Sequence, residues 1–175
     1  YAGAAAIFAK GYEANQRNTD LAMLLAESYF KQDLYNEGMK VCSEVMALPA
    51  SPMFEKGKAE AKQKMNLYTN NKIATLQQAN DFDGIITMAE GLDNQALAQK
   101  ITVQAYFLKK DYDKVIELGE AAAEAQTDEE DKSAVYFQLG TAYNAKEMKD
   151  KAVAALSKVT AGPSIEAAKA AIAGL

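Results

Sequence analysis

The chain has 175 residues, 49% of them hydrophobic, with a formal net charge of −5 and a pI near 4.9. It holds no histidine, one cysteine (Cys42) and one arginine (Arg17), which excludes an intramolecular disulfide, a thiolate–imidazole metal site and any histidine-based acid or base. An acidic chain with a single Arg lacks the guanidinium forks that grip phosphates and base edges, so nucleic acid is not an expected partner.

Helix is the expected state throughout. Alanine supplies 34 residues and proline only three, and Ala loses almost no side-chain entropy on entering a helix. Breaks fall near Asn18–Asp20, Gln32–Leu34, Pro49–Pro52, Asn80–Phe82, Gly91–Asp93, Lys110–Asp113, Thr127–Asp131, Lys146–Lys149 and Gly162–Ser164. Thr19 or Asp20 is expected to cap the second helix, and Ser51 to precede a first-turn Pro52. Thr127 is the expected cap of a later helix whose first turn is rich in carboxylates, which favour the positive end of the backbone dipole. Between the breaks, apolar residues recur at three and four, as in Leu21, Leu24, Leu25 and Tyr29, or Val135, Leu139, Ala142 and Tyr143. The spacing predicts about ten helices. Pro52–Ala79 reads as one long helix, or two with a weak point at Asn70–Asn71. No run reaches the roughly 18 apolar residues that a membrane span needs.

One phrase is written more than once. "YFKQDLYNEG" (29–38) and "YFLKKDYDKV" (106–115) share an aromatic pair, a polar turn and a second aromatic. Tyr29, Tyr106 and Tyr143 each stand nine residues before Gly38, Val115 and Ala152, and Leu76 makes the same step to Ile85. These anchors are spaced by 47, 30 and 37 residues. In the last stretch Tyr136, Leu139-Gly140, Tyr143, Ala152, Leu156 and Pro163 follow one another in order. The first has Ala22, Leu25-Ala26, Tyr29, Gly38 and Cys42. The third departs at Gln99 and Thr102, and the second, with Thr69, Lys72 and Leu76, is the weakest.

This pattern resembles the tetratricopeptide repeat, a helix-turn-helix unit of about 34 residues. The resemblance spans nearly the whole chain as a single repeat domain: a half repeat at 1–17, repeats near 18–50, 51–92, 93–126 and 128–162, and a partial helix at 164–175. Both ends then read as cut from a longer protein, whose degenerate, Lys- and Ala-rich style reads as bacterial, and the compartment is not legible. The implied fold is all-α, a right-handed superhelical solenoid of antiparallel helix pairs, with the long 52–79 segment overshooting its neighbours and distorting the superhelix. Small residues let the helices of one unit approach, while the anchors Tyr106 and Tyr143 and the aromatic seven residues ahead, as Tyr136 is of Tyr143, fill the seams; truncating Tyr106 or Tyr143 is expected to cost roughly 3–5 kcal/mol.

The resemblance implies a non-enzymatic interaction scaffold that holds an unidentified protein or peptide in a concave groove. Met23, Glu27, Phe30, Asn70, Gln77, Lys100, Gln104, Phe107, Phe137, Thr141 and Asn144 are the expected lining, with the three phenylalanines as anchors. A clamp for C-terminal carboxylates is not expected, because Met23 and Glu27 occupy the positions where that branch of the family has Lys and Asn. The other implied role is structural, in which copies associate into homo-oligomers within a larger assembly. No catalytic residue, metal or cofactor is expected. The carboxylate run 128–131 reads as a helix start. Lys56, Lys58, Lys62 and Lys64, interleaved with Glu55 and Glu60, read as a solvated face, and Cys42 as a small buried hydrophobe.

Overall fold

A computed structural model describes all 175 residues, as ten α-helices and no strands. They are α1 (Ala2–Ala14), α2 (Thr19–Phe30), α3 (Tyr35–Met46), α4 (Pro52–Gln78), α5 (Phe82–Glu90), α6 (Gln95–Leu108), α7 (Tyr112–Glu124), α8 (Glu129–Ala145), α9 (Lys149–Leu156) and α10 (Ile165–Ala173). None is long and apolar enough to cross a membrane. The chain divides into two compact units. One contains Tyr1–Gln78 with Gly91–Asp93, the other Ala79–Glu90 with Asn94–Leu175.

Helix starts follow side-chain chemistry, with two shifts from expectation. Asn18, not Thr19 or Asp20, caps α2, its Oδ1 accepting from the Leu21 amide at 3.1 Å. Asp128, not Thr127, caps α8, accepting from the Glu130 and Asp131 amides at 3.0 and 3.2 Å. In both cases the cap is the last extended residue, and its side-chain oxygen sits where it can reach amides two or three residues on. Asn94 and Asp111 cap α6 and α7 the same way.

The repeated phrase is a repeated turn. Asp33, Asn80, Lys110 and Glu147 all have left-handed backbone, with φ between 56° and 60°. Each stands four residues after its anchor, Tyr29, Leu76, Tyr106 or Tyr143. In three of the turns the next amide reaches back to the anchor's carbonyl: Leu34 to Tyr29 at 3.0 Å, and Asp111 to Tyr106 and Met148 to Tyr143 at 2.9 Å. In the same three turns the left-handed residue itself, Asp33, Lys110 or Glu147, donates to the carbonyl after the anchor. This double bond pattern closes a helix and reverses the chain. Glycine would adopt that backbone freely. None of the four is glycine, so the turn is held by its bonds and by the packing of the helices it joins.

In the first unit α1 packs on α2, and α2 on both α3 and α4. Its core includes Ala22, Met23, Leu25, Phe30, Met39, Cys42, Val45, Phe54 and Ile73. Cys42 is wholly enclosed, and burial pushes its thiol up to about 12. The long helix is a single element of 27 residues, about 40 Å, and runs unbroken through Asn70–Asn71. Gly38 has a specific reason to lack a side chain, since a Cβ there would come within 2.6 Å of Phe30 Cε1.

In the second unit α6 packs on α5, α7 and α8, α8 on α7 and α9, and α10 on α9. Val103, Val115, Val135, Tyr136, Leu139 and Leu156 anchor its core. Gly140 lets α8 meet α9, because a Cβ would come within 2.6 Å of Leu156 Cγ. The Ser133 hydroxyl, 1% exposed, accepts from the Thr160 and Ala161 amides and ties down the segment after α9. Tyr106 and Tyr143 are half-buried rather than enclosed. A half-exposed ring keeps part of its contact with water in the folded state, so its truncation removes less than the full burial energy. The enclosed aromatic of this unit is instead Tyr136.

Candidate functional site

The expected lining residues fall into rows with the helical spacing of four and then three, which puts each row on one helix face. On α2 the row is Met23, Glu27 and Phe30. On α6 it is Lys100, Gln104 and Phe107, and on α8 it is Phe137, Thr141 and Asn144. Asn70 and Gln77 share a face of α4 in the same way.

The α2 row is not a groove. Met23 is 2% exposed and Phe30 8%. The Phe30 ring stacks on Tyr68 of α4 with centroids 4.0 Å apart and planes 11° from parallel, and lies 6.2 Å from Tyr35. Glu27 is equally occupied. Its Oε1 accepts from the Tyr68 hydroxyl at 2.7 Å, and its Oε2 from Lys64 Nζ at 2.8 Å. Phe30 and Glu27 therefore both meet α4, which supplies an aromatic for the aromatic and a cation for the carboxylate. Lys64 correspondingly leaves the solvated face expected of its cluster, and its side chain is only 19% exposed.

Electrostatics register this contact. Burial pushes the Glu27 carboxyl up, but hydrogen bonds from Lys64 and Tyr68 and the charges of Lys64 and Lys31 outweigh it and hold the group below its ordinary value. Burial and the Glu27 contact push the Tyr68 phenol up to about 12. Burial does the same first for Tyr12, Tyr35 and Tyr136, each about 12 against an ordinary 10.0. Phenols that hold their protons more tightly when folded stabilise the fold below the unfolded value and lose that contribution as pH rises through the folded one. The denaturation midpoint is therefore expected to hold from neutrality to about pH 10 and to fall between 10 and 12. Urea titrations across that range, with phenolate absorbance followed in parallel, check it. A midpoint that stays level to pH 12 would contradict the burial of these hydroxyls.

In the second unit the rows remain partly open. Lys100 Nζ is 2.8 Å from Asp131 Oδ1, which ties α6 to the first turn of α8. Phe107 and Phe137 are half-buried and rest against the same apolar core, with Phe107 6.3 Å edge-on from Tyr112. Gln104 is half-buried and Asn144 exposed. Thr141 spends its hydroxyl on its own helix, donating to the Phe137 carbonyl at 2.8 Å. Asn70 and Gln77 are exposed on α4 of the first unit.

Two features escaped sequence reasoning. One is the cover over the α2 row, whose parts, Lys64 and Tyr68, follow Glu27 by 37 and 41 residues. No local spacing relates positions so far apart. The other is an apolar cavity of about 230 Å³ between α6 and α7, lined in part by Ala98, Gln99, Thr102 and Leu118. Its trace in the sequence is the polar Gln99 where the last stretch has Tyr136.

The chain matches no protein-family model, and a search of curated proteins finds no significant relative.

Proposed function

We propose that this chain is a protein-interaction module built from tetratricopeptide-like helix pairs, and that a partner segment docks on the α6–α8 face of the second unit. The observation that carries the reading is the turn repeated four times, with a left-handed residue at the same position of each. A unit written repeatedly with its packing residues preserved and its outward residues varied is how helical arrays present extended binding surfaces. The superhelix implied by the resemblance stands with this proposal.

The α6–α8 face has the makeup of a recognition surface. Two phenylalanines keep part of their rings accessible, and Gln104 and Asn144 flank them. Partly exposed aromatics among polar groups are the usual anchors of an interface. The earlier anchor, Phe30, is left out, because α4 occupies its face.

The test uses Gln104→Arg with Asn144→Arg, which adds charge and bulk without touching the core. After a partner is isolated on the full-length protein, the double variant should lose capture while keeping its helical circular dichroism and denaturation midpoint. Undiminished capture would remove the α6–α8 face from the proposal.

A further inference from the structure

Counting from the anchors of the repeated turn aligns three places where one helix pair meets its predecessor. Tyr136 lies seven residues before Tyr143, and Lys158 fifteen after it. Gln99 and Ala121 hold the same two positions around Tyr106, and Ala22 and Glu44 around Tyr29. Glu120 and Glu90 match in turn, each fourteen residues after its anchor, Tyr106 or Leu76.

In the last stretch this seam is full. Tyr136 is 1% exposed, its hydroxyl donates to the Glu124 carboxylate with Glu120 Oε1 at 3.2 Å, and Lys158 Nζ lies 4.5 Å over its ring. In the first stretch the aligned position is the small Ala22. There Tyr12 of α1 is buried instead, and its hydroxyl donates to Glu44 at 3.0 Å. Two seams thus hold a tyrosine, delivered by different helices, with its hydroxyl on a carboxylate.

The third seam has no tyrosine. Gln99 replaces Tyr136, Ala121 replaces Lys158, and a mainly apolar cavity of about 230 Å³ stands open there. Ala98, Thr102, Leu118 and Ala122 line it, and Glu90, the counterpart of Glu120, lines it as well and is exposed. An apolar cavity of about 150 Å³ is enough for benzene.

We infer that the open seam between α6 and α7 receives a tyrosine side chain from a partner protein segment, with its ring against Ala98, Leu118 and Ala122 and its hydroxyl donated to Glu90. This rests on the interaction-module reading above and names the side chain that the module takes. A phenol donating to a carboxylate makes a charge-assisted hydrogen bond, which phenylalanine and leucine cannot make.

The experiment titrates the isotope-labelled full chain with N-acetyl-tyrosinamide, and in parallel with the phenylalanine and leucine analogues, by amide NMR. Shifts confined to the amides around Ala98, Thr102 and Ala121 are expected, strongest for the tyrosine probe. Glu90→Leu should weaken the tyrosine probe roughly tenfold and leave the phenylalanine probe unchanged. Gln99→Tyr and Gln99→Phe fill the seam from within, so both should abolish the shifts and raise the denaturation midpoint. Absent shifts, equal binding of the leucine probe, or shifts that persist when residue 99 is aromatic would each overturn the inference. If an aromatic at 99 leaves capture of the natural partner intact while the Gln104/Asn144 arginine pair abolishes it, the seam fails and the module reading stands. If the tyrosine probe binds the seam and the arginine pair has no effect, the seam stands and the α6–α8 face fails.

Discussion

Phe30→Ala is expected to destabilise the first unit by roughly 3–5 kcal/mol, the range for deleting an enclosed aromatic ring. The ring is 8% exposed, stacks on Tyr68, leans toward Tyr35 and covers the Cβ-less side of Gly38. Two helices lose a shared partner when it goes, α3 through Tyr35 and Gly38 and α4 through Tyr68. Phe30→Leu keeps most of the volume and should cost under about 1.5 kcal/mol. Denaturant titration of the full chain measures the loss, and hydrogen exchange of α2, α3 and α4 amides locates it, since two compact units need not unfold in one step. A change below about 1 kcal/mol would mean that Tyr68 does not cover the ring and that the α2 row is open to a partner after all.

Tyr136→Ala should have an effect of similar size in the second unit, again roughly 3–5 kcal/mol. The residue is 1% exposed at the seam of α7, α8 and α9, and its hydroxyl joins Glu124 and Lys158. The same contacts show in the neighbours. A hydrogen bond from Tyr136, then one from Lys132, holds the Glu124 carboxyl below its ordinary value, and hydrogen bonds to Glu120 and Tyr136 raise the Lys158 ammonium. Tyr136→Phe separates ring from hydroxyl. It should cost only about 1 kcal/mol, because the carboxylates it leaves are more than half exposed and return to water. Equal losses for the Ala and Phe variants would show that the polar contacts, not the ring, hold the seam.

The two variants also mark where sequence reasoning succeeded and where it stopped. Tyr136 was legible as a seam residue because its neighbours Leu139, Gly140 and Tyr143 lie within one helix, at spacings that backbone geometry dictates. Phe30 was not legible. Its position next to the packing Tyr29 predicted an outward side chain, and only the course of α4 decided otherwise. Glu27 shows the same limit, since nothing local to it announces Lys64 or Tyr68.

The all-helical state, the placement of nearly every break and the recurrence of one turn are legible in the chain itself. Those properties depend on periodicity, capping oxygens and a reversal closed by bonds between residues five apart, all of which are local. Tertiary structure alone decided which faces remain free. A helix face is exposed or covered according to what another segment brings to it, and in this chain the covering residues lie dozens of positions away. That is why the same row of residues is sealed on α2 and partly open on α6 and α8. It is also why a glutamine at 99 reads as an ordinary polar residue in the chain but borders an empty seam in the fold.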